Sequence, residues 1–199
     1  MATETELNSL IGSRICHDLI SPLGAIGNGV ELLAMTGAEQ TPEITLISES
    51  VDNANARIRY FRIAFGAASA SSNIGNAELR CILDDLFKTT NRIKVDWRVP
   101  GDIPRAEAKL VFLIILCLES ALPWGGRVMV TRTDDRWNLM GMAERLKIDE
   151  ALWEVVANPQ YDTAMNASEV QFALVQPAAR VIGRRVTTML KDSAISVSF

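Results

Sequence analysis

The sequence predicts an α+β protein in two parts. An N-terminal helical hairpin pairs with a second copy to form a dimeric four-helix bundle, and a C-terminal α/β sandwich follows. Three observations lead there. From Leu7 to Phe65 the apolar residues recur at helical spacings. A small, polar stretch, GAASASSNIGN (Gly66–Asn76), then interrupts the pattern. Beyond it, alternating strand-like runs mix with helical ones, the signature of helices layered on a mostly antiparallel sheet. The two parts are read as residues 1–70 and 77–199.

Helix one is predicted from about Glu4 to Thr36, with Leu7, Ile11, Ile15, Leu19, Ile26, Val30 and Leu33 along one stripe. "TGAEQTPE" breaks it, with Thr41 placed to cap a second helix and Pro42 at its first position. Helix two continues to about Phe65. Its residues Ile44, Ile47, Val51, Ala54, Ile58, Phe61 and Phe65 step by three and four in a coiled-coil-like seam. One hairpin buries such a seam poorly and two hairpins bury it well, so a homodimer is expected. After the linker, "AELRCILDDLF" reads as helix and "RIKVDWRVP" as strand. Residues 105–122 are helical and "GGRVMVTRT" is a strand. "WNLMGMAERL" reads as a third strand, 149–156 and about 168–182 as helices, and "RRVTTMLKD" and "AISVSF" as closing strands.

Bulk properties exclude several function classes. A net charge of −4 over 199 residues, without a basic stripe, argues against nucleic acid. The densest cationic spots, Arg57–Arg59 and Arg184–Arg185, read as solvated faces. The opening "MATETELNSLIGS" has neither a basic start nor an apolar block, so a cytoplasmic location is expected. The longest apolar run, Leu110 to Leu118, is too short for a bilayer and reads as buried core. Cys16, Cys81 and Cys117 form no CxxC, and with one histidine in the chain a zinc site is disfavoured. The four tryptophans read as core and edge packing.

That one histidine, His17, lies in "RICHDLISPLGAIGNG". A lone helical histidine is ordinarily a packed or incidental residue. At about 100° per residue, however, His17 falls opposite the apolar stripe. It shares a row with Leu10, Arg14, Ser21, Gly24 and Asn28. Helical glycine costs about 1 kcal/mol relative to alanine, and a helical proline such as Pro22 about 3 kcal/mol. Local rules broken around one titratable side chain point to a functional site. A neutral imidazole, with an ordinary pKa of about 6.5, offers a free ring nitrogen that can attack phosphorus. Asp18 is placed to accept from the ring or to stabilise its charge. Arg14 either meets phosphoryl oxygens or an acidic partner, or is a solvated surface charge.

His17–Leu23, H-D-L-I-S-P-L, resembles the H-box of sensor histidine kinases. "KLVFLIILCLESALPWGGRVMV", Lys109 to Val130, is similar to their N-box helix and following strand, including a Pro-x-Gly-Gly turn at Pro123–Gly126. The positions where kinases carry asparagines hold Leu113 and Cys117, and the Asp-x-Gly-x-Gly boxes are missing. A kinase-like body without nucleotide ligands resembles the ChpT-type histidine phosphotransferases over essentially the whole chain. The resemblance implies a hairpin dimer with a degenerate ATPase-like domain. It implies a phosphorelay role: His17 takes a phosphoryl group from a receiver-domain aspartate, on a hybrid histidine kinase. It then passes the group to a response-regulator receiver. Asp18, Ser21 and Pro22 inherit supporting roles. No cofactor is expected on this chain, and Mg²⁺ is expected on the partner receiver. Neither nucleic acid nor membrane is an expected partner. Two rivals remain: a non-catalytic dimeric module that binds receiver or kinase domains, and an active kinase, which would need the missing nucleotide ligands.

Overall fold

The computed structural model describes residues 4–35, 41–68, 72–90, 92–161 and 163–199. The chain divides into two compact units, Met1–Ala67 and Ala68–Phe199.

The first unit is a hairpin of α1 (Glu4–Met35) and α2 (Pro42–Ala64). α1 is helical through Pro22, and Thr36 lies outside the described residues. The expected cap is present: Thr41 Oγ1 accepts from the Ile44 amide at 3.4 Å, and Pro42 opens the helix. The helices meet where α1 is thin. Gly12 lies against the Phe65 carbonyl, Gly27 against a Val51 methyl, and Cys16 is 7% exposed. Val51, Ile58 and Ile63 supply the buried face of α2.

The second unit begins inside the stretch read as linker. β1 (Asn73–Ile74) pairs antiparallel with β3 (Ile103–Pro104), and the Arg105 amide donates to the Ser72 carbonyl at 2.8 Å. The periodicity rules miss this pair because two residues show no period. The main sheet has the order β2-β4-β5-β7-β6. Its strands are β2 (Ile93–Trp97), β4 (Gly126–Thr133), β5 (Arg136–Met142), β6 (Thr187–Lys191) and β7 (Ala194–Ser198). Only β2 with β4 is parallel, so the expected mostly antiparallel sheet is observed. The helices are α3 (Asn76–Thr90), α4 (Arg105–Ala121), α5 (Glu150–Ala157) and α6 (Val170–Val181), with a 3-10 turn, Ala167–Glu169, before the last. Asp149 caps α5 by accepting from the Ala151 and Leu152 amides.

Strand alternation sorts the sheet into two faces. Val128, Val130, Trp137, Leu139, Ile195 and Val197 are buried on one. Met129, Thr131, Arg136, Asn138, Ser196 and Ser198 stand on the other, and none of them is buried. α4 runs through the core, with Leu110 to Ile115 fully buried. The run read as core is therefore the spine of an α+β fold.

Candidate functional site

The residues picked out around His17 all lie on α1. The backbone of Arg14, His17, Asp18 and Pro22 is helical, while their side chains lie outside the described residues. Their placement follows from helical phase, read against neighbours whose surroundings are known.

Three rows divide α1. The first, through Gly12, Cys16 and Gly27, faces α2. The second is the apolar stripe, and it is open: Ile15 is 54% exposed, Leu19 46% and Ile26 49%, with Leu33 similar. Leu46 and Ile47 on α2 are exposed as well. The third row holds the positions of Arg14 and His17 with Ser21, Gly24 and Asn28. Ser21 and Asn28 are exposed, and a methyl group added at Gly24 would meet nothing within 4 Å. The smallness of Gly24 is thus not required by the hairpin itself, whereas Gly12 and Gly27 have contacts that explain them. The helix brings Ser21, Gly24 and Asn28 onto one face with the backbone of His17, as the spacing predicts. Asp18 is about 100° away around the helix.

Beside His17, Cys16 points into the hairpin. Burial pushes its thiol up from the ordinary value of 9.0, against a smaller downward pull from the Arg62 guanidinium. A protonated, enclosed thiol is a poor nucleophile, which leaves Cys16 a packing residue.

The second unit bears on nucleotide chemistry through two residues. Leu113 and Cys117 are both 0% exposed, packed in α4. Burial holds the Cys117 thiol well above 9.0. Side chains that are apolar or neutral and sealed from solvent offer no ligand to a phosphate or a metal ion. The Pro123–Gly126 turn is present, with Gly125 at φ 100° and Gly126 at φ 154°. Carbonyls of Arg92 and Met142 lie where methyl groups would go, so glycine is required at both positions. Trp124 on this turn is exposed, with the Arg145 guanidinium 4.1 Å above its ring, so it packs at the edge and not in the core. Trp97, Trp137 and Trp153 are buried as expected. Among the described residues no group of three His, Cys, Asp or Glu side chains is placed to hold a metal ion. No described helix is long and apolar enough to cross a membrane.

One cluster escapes linear reading. Arg184 and Arg185 converge with Arg136 at one end of the sheet. The doublet is visible in the sequence, but its meeting with Arg136 depends on strand order.

Comparison with known proteins matches this architecture to one family. Residues 76–194 match the family described as histidine phosphotransferase C-terminal domain. The protein phosphotransferase ChpT of Brucella abortus (strain 2308) is 33% identical over 172 residues, 83% of this chain and 81% of that one. A bacterial phosphotransferase of known structure superposes with a TM-score of 0.69 at 26% identity, covering 100% of this chain and 97% of that one. The family match over the second unit, the 33% identical phosphotransferase and the superposition along the whole chain agree, and the protein belongs to the ChpT-type histidine phosphotransferase family.

Proposed function

We propose that this phosphotransferase works in a multi-step phosphorelay, with His17 as the residue that accepts and donates the phosphoryl group. The carrying observation is that the only histidine of a histidine phosphotransferase occupies the α1 row marked by exposed Ser21 and Asn28 and by the open space at Gly24. A receiver domain bearing phospho-aspartate docks along this row. The Nε2 lone pair of neutral His17 attacks phosphorus in line. The N–P bond forms as the P–O bond to the aspartate breaks, and the carboxylate leaves with its electron pair. The Nδ1 proton stays on the ring, and Asp18, next in sequence, is the proposed acceptor of its hydrogen bond. The reverse attack, by the aspartate of a response-regulator receiver, empties the site. The receiver brings Mg²⁺, which neutralises charge on the phosphoryl oxygens. What remains for this chain is positioning, so one reactive residue suffices. Arg14, Ser21, Pro22, Gly24 and Asn28 shape the docking row.

Dimerisation through the open stripe of Ile15, Leu19, Ile26 and Leu33 completes a four-helix bundle. The burial of Leu113 and Cys117 supports a second unit without ATP-dependent autokinase activity. A cytoplasmic location accords with relay partners of this kind.

The test mixes the protein and its His17→Ala variant with a radiolabelled phospho-receiver and magnesium, then adds a second receiver. The reading expects acid-labile, alkali-stable label on the wild type alone, followed by passage to the second receiver. Binding of receivers without label supports the interaction module instead. Label taken directly from ATP without a donor identifies a kinase.

A further inference from the structure

We propose that the second unit holds a binding site for a small phosphate compound of the diphosphate class, in a cleft at one end of the sheet. The cleft has a volume of about 380 Å³, the lower range of small-molecule sites. Two separate segments bring three guanidiniums to it, those of Arg136, Arg184 and Arg185. Hydroxyls of Thr133, Thr187 and Ser198 line it between them.

Each placement has a local cause. Thr133 and Arg136 are a cross-strand pair at the tip of the β4–β5 hairpin, and Thr187 and Ser198 are a pair between β6 and β7. Alternation sets Arg136, Ser198 and Thr187 on the sheet face where no helix core lies. The hairpin closes through Asp134 in the left-handed region, at φ 53°. Arg184 and Arg185 arrive from a helix end. Gly183, at φ 66°, stops α6, and the Arg184 amide donates to the Ala179 carbonyl at 2.9 Å. That turn fixes where the arginine pair leaves the helix.

The polar groups are arranged for an oxyanion. Arg136 Nη2 donates to Ser198 Oγ at 3.2 Å, and Ser198 Oγ lies 2.8 Å from Thr187 Oγ1. A guanidinium has five donor hydrogens, so Arg136 keeps most of its capacity. Arg184 and Arg185 form no ion pair among the described residues. Of the two carboxylates at the rim, Asp135 is engaged by Arg132 at 3.4 Å. Among the side chains, three cations therefore face one uncommitted carboxylate, that of Asp134, and the backbone end of Phe199 also lines the cleft. The surplus of side-chain cations matches an anion, and planar guanidiniums with hydroxyls match tetrahedral oxygens. The volume exceeds what one phosphate fills, which favours a diphosphate or a phosphate ester with an organic body. The site is independent of His17.

The test titrates the full chain with pyrophosphate and with inorganic phosphate at constant ionic strength, following backbone amide shifts and binding heat. Saturable binding is expected, tighter for pyrophosphate, with shifts confined to the ends of β4, β5, β6 and β7 and to the turn at Arg184 and Arg185. R184Q/R185Q is expected to weaken it at least tenfold, R136Q severalfold, and H17A not at all. K88Q, at an exposed position of α3, controls for loss of one charge. Should the double variant fail to fold by its thermal transition, R185Q alone carries the same test. Absence of saturation, or equal weakening by K88Q, overturns the site. A phosphoserine peptide that outcompetes pyrophosphate overturns the small-molecule assignment.

Discussion

The two units bury apolar surface in opposite ways. In the second, Leu110 to Ile115 disappear completely into a core closed by α6 and the sheet. In the first, Ile15, Leu19, Ile26, Leu46 and Ile47 remain open. Fully burying such a side chain stabilises by about 1.5–3 kcal/mol, so the hairpin leaves several such contributions unused while the sheet unit uses its own. The lesson is that the sheet unit buries its large apolar residues within one chain, whereas the hairpin leaves an apolar stripe exposed.

The sharpest way to break this contrast is to charge the open stripe. Ile15→Asp with Ile26→Asp places unpaired carboxylates in the proposed bundle interface, at about 3–5 kcal/mol for each buried charge. Dimerisation is expected to weaken by a thousandfold or more, on the order of 10³ for every 4 kcal/mol. Sedimentation equilibrium over a dilution series measures it. The sheet unit should keep its fold, seen as unchanged dispersion of the strand amides. A monomeric wild type would show that the open stripe serves something other than self-association.

A second variant acts on the finished core. Leu113→Ala removes a side chain with no exposed atoms from α4, and cores of this kind lose about 2–5 kcal/mol. The urea midpoint of the sheet unit should fall accordingly, with the dimer retained. A loss below about 1 kcal/mol would mean the core relaxes around the gap, and that α4 is less tightly packed than its burial implies.

These contrasts also explain what could be read from the chain. The hairpin helices were legible because the apolar residues from Leu7 to Phe65 repeat over many turns, and Thr41 and Pro42 mark a start by local chemistry. His17 stood out because its row of α1 continues with Ser21, Gly24 and Asn28 where an idle surface carries long charged residues. β1 and β3 were invisible because two-residue strands exist only through each other. The first row of α1, at Gly12 and Gly27, was also missed. Apolar periodicity follows large side chains, and here the helices approach where side chains are smallest. The cleft of Arg136, Arg184 and Arg185 required the β7–β6 register, which no local pattern encodes.

A third prediction concerns pH. The Cys117 thiol is raised above its ordinary 9.0 by burial, so the folded state keeps a proton that the unfolded chain releases. Its contribution is complete below pH 9.0 and declines as pH rises above that value. Stability of the sheet unit should therefore fall on the alkaline side, and Cys117→Ala should flatten that decline while lowering stability at neutral pH through the lost packing. Chemical denaturation at pH 7 and pH 10 separates the two effects. An alkaline slope unchanged by the substitution would assign it to other groups.

The smallest effect on the fold is the most informative about function. Gly24→Ala adds a methyl group where nothing lies within 4 Å, and alanine favours a helix over glycine by about 1 kcal/mol. The hairpin should be slightly stabilised, with its thermal midpoint rising by a few degrees at most. Phosphoryl transfer from a receiver should nevertheless slow, because the docking row has lost its closest approach. Gly126→Ala should behave in the reverse sense: φ 154° and the Met142 carbonyl make it destabilising, with transfer at His17 unaffected while the fold persists. If Gly24→Ala left transfer rates unchanged, the α1 row would be open for a reason other than a receiver. In that event the contrast between an unfinished hairpin and a finished sheet would rest on dimerisation alone.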